Sequence, residues 1–148
     1  MEAKSKNQGE IVFSKLVEGF QKDAESIIAL FHKEANIEYP YAKALGTPHK
    51  LNYEEYFVYL QQALTYLPKV MYSNERVFQV DENTYWAELH AETIIAATGK
   101  LYEQNYVMFF RLKDGLIIQY KEYWDALAGV KAMQGENYLQ NSLNTITK

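Results

Sequence analysis

Glu122 lies in the run Tyr120-Lys121-Glu122-Tyr123-Trp124-Asp125, a single carboxylate among aromatic rings. Burial beside aromatics disfavours the charged form and raises a carboxyl pKa toward neutrality, which suits a general acid or base. The same residues could instead hold Glu122 as a buried hydrogen-bond anchor, or salt-bridge it at an interface. Its function depends on which side chains the neighbouring strands bring beside it.

Two turns set those neighbours. Lys113-Asp114-Gly115 reads as a three-residue hairpin loop with glycine left-handed. That loop pairs Met108 with Tyr120 and Tyr106 with Glu122. It leaves Arg111, Gln119 and Lys121 on the opposite face. A similar loop at Ala97-Thr98-Gly99 places His90 opposite Tyr106, with His90 and Glu122 roughly 10 Å apart across one intervening strand. A two-residue loop there would instead bring Leu89 or Ala91 to Tyr106. On this reading Glu122, His90 and Tyr106 are the catalytic candidates. Trp86 and Glu88 alternate with His90 and Glu92 on one strand face, either as a ligand-facing row or as an exposed or interface surface. Tyr39 and Tyr41 flank Pro40, which fixes the backbone and could seat both phenols at a pocket mouth. Tyr39, Tyr41, Phe57, Trp86, Glu88, Met108, Tyr120 and Trp124 make up the candidate ligand-binding set. Tyr53, Tyr56 and Phe57 recur at helical spacing and suit a core. One histidine between two glutamates on a flat strand is a poor metal set, and no metal site is expected.

The elements that must position these residues follow from periodicity. Helices are predicted over Glu10–Phe20 and, capped by Asp23, over Ala24–Phe31. A short strand follows at Asn36–Tyr41. Asn52 with Glu55 forms a capping box that opens a helix ended by Pro68. Four strands follow: Lys69–Gln79, Thr84–Ala96, Leu101–Leu112 and Leu116–Trp124. Asp125 caps a last helix, Ala126–Met133. Residues 1–9 read as a disordered leader and 134–148 as a polar tail. The chain is read as one α+β domain, 1–148, with its core in 10–133.

Composition narrows the class. The 148 residues are 48% hydrophobic and include 13 tyrosines, the make-up of a globular protein with part-polar, part-apolar pockets. A net charge of −4 and no basic face argue against nucleic acid. The absence of cysteine excludes disulfides and thiolate chemistry. No apolar run reaches membrane-spanning length and the N-terminus lacks a signal-like apolar core, so a soluble cytoplasmic protein is expected. No nucleotide or phosphate-binding fingerprint is present.

Several segments together resemble the SnoaL-like group of the nuclear transport factor 2-like superfamily, which includes polyketide cyclases and phenazine-biosynthesis A/B proteins. They are Ile37-Glu38-Tyr39-Pro40-Tyr41, Tyr85-Trp86-Ala87-Glu88, Thr98-Gly99-Lys100-Leu101-Tyr102, and Asp114-Gly115-Leu116-Ile117 running into Glu122-Tyr123-Trp124-Asp125. The resemblance implies a cone: a curved antiparallel sheet wrapped by N-terminal helices around a deep pocket. It also implies a homodimer through the convex sheet face, a small hydrophobic or aromatic ligand, and no cofactor. In the phenazine proteins a glutamate in an Arg-Glu-aromatic run is an acid/base. Glu122 matches that position, with Lys121 in place of the arginine. The full aspartate-and-tyrosine set of ketosteroid isomerases has no match. The function expected is acid/base isomerisation, cyclisation or condensation of a carbonyl compound through Glu122. The alternative is a non-catalytic ligand-binding or dimerisation module of the same fold.

Overall fold

The computed structural model describes residues 5–66 and 69–134. Helices α1 (Gln8–Phe20) and α2 (Ala24–Ile28) precede strand β1 (Phe31–Glu38). A short strand β2 (Lys50–Leu51) leads into α3 (Tyr53–Tyr66). Strands β3 (Met71–Gln79), β4 (Thr84–Ile94), β5 (Leu101–Lys113) and β6 (Leu116–Tyr123) follow, then α4 (Ala126–Gln134). The six strands form one curved sheet in the order β2-β1-β6-β5-β4-β3. The fold is α+β, and the sheet is mixed rather than purely antiparallel, because β1 runs parallel to β6.

Local chemistry explains most boundaries. Asn7 and Glu10 form a reciprocal capping box, so α1 starts inside the stretch read as a leader. Asp23 caps α2 through Ser26 N–H at 2.7 Å. That helix stops at Ile28, short of the expected Phe31, and β1 begins at Phe31 instead. Phe31 packs edge-on to Tyr120, with ring centroids 5.6 Å apart, so a sheet contact overrides the helical spacing. Asn52 and Glu55 cap α3 as expected, while Pro68 and the tail from 135 lie outside the described residues. Asp125 accepts from Leu127 and Ala128 N–H and starts α4.

The helices cover the inner face of the sheet. Phe13, Leu16, Ile27, Ile37, Tyr85, Phe110, Ile117 and Tyr120 are among the buried side chains of one continuous core. Gly9 lets α1 lie flat on the sheet, since a Cβ there would run into the Tyr85 ring. Among the described residues no helix is long and apolar enough to cross a membrane.

Candidate active site

Register decides which candidates meet. Between β5 and β6 the turn is the two-residue pair Asp114-Gly115, both with positive φ (54° and 77°). Pairing starts at Lys113 with Leu116, and an irregularity between Arg111 and Leu112 then sets Phe110 opposite Tyr120 and Met108 opposite Glu122. This is a shift of two residues from the expected pairing, which preserves the face. Met108, Phe110, Tyr120 and Glu122 therefore share the inner face, and Tyr106 lies diagonal to Glu122.

The β4–β5 connection differs by one residue, and that corrects the expected His90–Tyr106–Glu122 row. Ile95 N–H bonds Lys100 O across the loop 96–99, and Tyr106 pairs with Leu89 while His90 pairs with Asn105. An odd shift turns every side chain over. Trp86, Glu88, His90 and Glu92 consequently lie on the outer face, away from Glu122. The inner positions of β4 are Tyr85, Ala87, Leu89, Ala91 and Thr93, all buried. His90 is held at Nδ1 by Asn105 Oδ1 (2.7 Å) and at Nε2 by Glu92 Oε1 (3.0 Å). These two acceptors raise its pKa, Asn105 most. His90, Glu92 and Glu103 have ligand atoms within 4.8 Å of one another on the outer face, separate from the cavity. His90→Ala is expected to leave any proton chemistry at Glu122 within twofold, checked by the exchange assay described below.

The inner face and the covering helices enclose a cavity of about 510 Å³, within the range of small-molecule sites. Tyr39, Tyr106, Met108, Glu122 and Trp124 line it. Tyr120 stands behind Glu122, its hydroxyl donating to Oε1 at 2.7 Å. Phe57 packs on the core instead of the cavity wall. Tyr41 is exposed and meets Tyr123 on the outer side, with ring centroids 5.5 Å apart. Of the Tyr39-Pro40-Tyr41 pair, only Tyr39 reaches the cavity.

Glu122 is the cavity's distinctive group. Burial pushes its carboxyl up to about 7 from 4.5, the Tyr120 hydrogen bond opposing part of that rise. Its charge in turn raises the phenols of Tyr39, Tyr56, Tyr59, Tyr72, Tyr102, Tyr106 and Tyr120, on top of their own burial. Burial and the Glu122 charge together keep these seven phenols protonated.

Tyr102 completes the wall, Gln104 holds it from beside the cavity, and neither was among the expected site residues. Gln104 is buried on the inner face of β5. Its Nε2 donates to Asp125 O (2.9 Å) and to Tyr102 Oη (3.0 Å), and its Oε1 accepts from Asp125 N–H (2.7 Å). The amide latches the end of β6 and the start of α4, whose Ala126, Gly129 and Val130 close the cavity. Tyr102 Oη accepts from Gln104 and also lies 3.4 Å from Tyr106 Oη, a contact in which either hydroxyl can donate. The available signal was a glutamine at an inward position in the alternation Tyr102-Gln104-Tyr106-Met108-Phe110.

A family model for the SnoaL-like domain matches residues 14–120. The chain belongs to the SnoaL-like domain family. It is 29% identical over 122 residues to the uncharacterized protein YesE of Bacillus subtilis, covering 81% of this chain and 82% of that one. The uncharacterized PhzA/B-like protein PA3332 of Pseudomonas aeruginosa is 25% identical over 114 residues, 76% and 80% of the two chains. A solved Bacillus subtilis structure, provisionally named an isomerase, superposes with a TM-score of 0.77 at 24% identity, covering 88% of this chain and 98% of that one. That likeness shows the SnoaL-like fold.

Proposed function

We propose that this SnoaL-like protein is a cofactor-independent acid/base catalyst acting on a hydrophobic or aromatic carbonyl compound. The observation that carries this is Glu122: a half-buried carboxyl lining a cavity of ligand size, its pKa pushed up to about 7. Glu122 removes a proton from the carbon next to the carbonyl and returns it at another position. Tyr106 donates to the carbonyl oxygen as enolate charge develops. A proton shuttled this way isomerises the ligand, and the same enolate attacking a second carbonyl closes a ring. The provisional isomerase name of the Bacillus subtilis neighbour agrees with this chemistry.

The test is exchange of the α-protons of beta-tetralone in heavy water, followed by NMR. The wild-type protein is expected to accelerate exchange, and Glu122→Gln to lose that acceleration. Binding of the ketone without accelerated exchange would favour a non-catalytic ligand-binding module.

The outer face supports a homodimer. Met71, Phe78, Trp86, Ile94, Leu101 and Val107 are exposed there, and the register places all six on that face. Apolar area of this extent marks an interaction surface. Trp86→Glu is expected to shift the protein from dimer to monomer in sedimentation analysis. A wild-type monomer at micromolar concentration would contradict the assignment.

A further inference from the structure

Tyr56 has a buried polar atom that the rest of the fold leaves unbonded. The residue is 0% exposed, yet its Oη has no hydrogen-bond partner. The Tyr39 phenol lies near it but outside bonding geometry. A buried hydroxyl without a partner loses its hydration and gains nothing in return. Phenylalanine would place the same ring against Phe31 (4.9 Å) and Tyr120 (6.3 Å) without that penalty. Packing alone therefore does not account for the hydroxyl.

Its position suggests a use. Tyr56 lines the cavity from α3, on the β1 side of Glu122. Tyr106 lines it from β5, on the other side, and β6 carries Glu122 between them. Both phenols feel the Glu122 charge. The two phenol residues thus flank Glu122 in the cavity wall. Among the described lining residues there is no lysine, arginine or histidine. A ligand carboxylate or phosphate would find no counter-charge there, only the acid itself.

We propose that Tyr56, with Tyr39 beside it, forms a second ligand-oxygen subsite, and that the ligand is an uncharged ring compound bearing an oxygen at each end. This rests on the reading that Glu122 acts on a ligand in this cavity. The Tyr56 hydroxyl donates to the oxygen remote from the reacting carbonyl and so fixes which ring carbon faces Glu122.

Titrations of wild type and Tyr56→Phe compare beta-tetralone with its analogue hydroxylated on the far ring. Tyr56→Phe is expected to weaken binding of the hydroxylated probe about tenfold and to leave beta-tetralone within twofold, the loss of one hydrogen bond. It should melt at the wild-type temperature or higher, because an unpaired hydroxyl has been removed. Equal losses for both probes, no loss, or a melting point several degrees lower would overturn the subsite. So would a wild-type protein that binds the hydroxylated probe no more tightly than beta-tetralone. Naphthoate binding as tightly as the neutral ketone would overturn the charge assignment. Heavy-water exchange on the same samples separates the two readings: the expected binding pattern without exchange upholds the subsite and sinks acid/base catalysis.

Discussion

Glu122→Gln will remove the exchange activity by a factor of about 10²–10⁴, the usual contribution of a positioned acid or base. Glutamine keeps the size and an acceptor for the Tyr120 hydroxyl, so folding survives and binding of a neutral ketone changes little. Stability moves the other way from activity. Glu122 has a folded pKa raised to about 7 against 4.5 in the unfolded chain. The folded state then holds a proton that the unfolded state releases. Its contribution is fully present below pH 4.5, is lost as pH rises through 7, and levels off above it. The total is on the order of 3 kcal/mol. Wild type should therefore lose stability across that window, and Glu122→Gln should lack that slope and be the more stable protein at pH 8. Urea denaturation at pH 5 and pH 8 measures both. Parallel stability profiles for the two proteins would show that Glu122 is not desolvated.

Gln104→Leu is expected to give the second large effect, a loss of about 2–4 kcal/mol. Leucine matches the volume but strands the Asp125 N–H and C=O, and Tyr102 loses its donor. Each buried group left unpaired costs about 1–3 kcal/mol, reduced where water reaches it. Because those groups join β6 to α4, the loss should localise. Amide exchange should quicken in residues 125–132 well before the β4–β5 ladder. Tyr106 also loses the bond that orients its neighbour, so ketone exchange falls along with stability. A variant of wild-type stability and activity would mean that Gln104 fills space without latching α4. Gln104→Glu, which can still accept from Asp125 N–H, should recover part of the loss at low pH, where it is protonated and can also donate.

The contrast between Glu122 and His90 shows what the sequence could and could not reveal. Both placements depend on the length of a hairpin loop, and both loops differ from the expected three residues. The β5–β6 register slipped by two and kept Glu122 on the inner face with Met108 and Tyr120. The β4–β5 register slipped by one and carried His90, Glu88 and Trp86 to the outside. A strand's period of two makes the first error harmless and the second total. The alternation itself favoured the observed faces, since Tyr85, Ala87, Leu89 and Ala91 are the more apolar set. Tyr56 was legible as a core ring, but its unbonded hydroxyl was not. That depends on where Tyr39 and β1 come to rest, and β1 pairs parallel with β6 from across the chain. The capping box at Asn52 and the cap at Asp125 were readable because they are local. Gln104 was not, because its partners at Asp125 lie 21 residues away.

The acid/base assignment stands or falls on the proton affinity of one carboxyl. Carbon-13 NMR of side-chain-labelled glutamate, with Glu122→Gln identifying the resonance, measures it directly. Titration of the Glu122 carbon near pH 7 is the result predicted. A midpoint near 4.5 would mean a solvated carboxylate and would remove the basis for proton chemistry in this cavity.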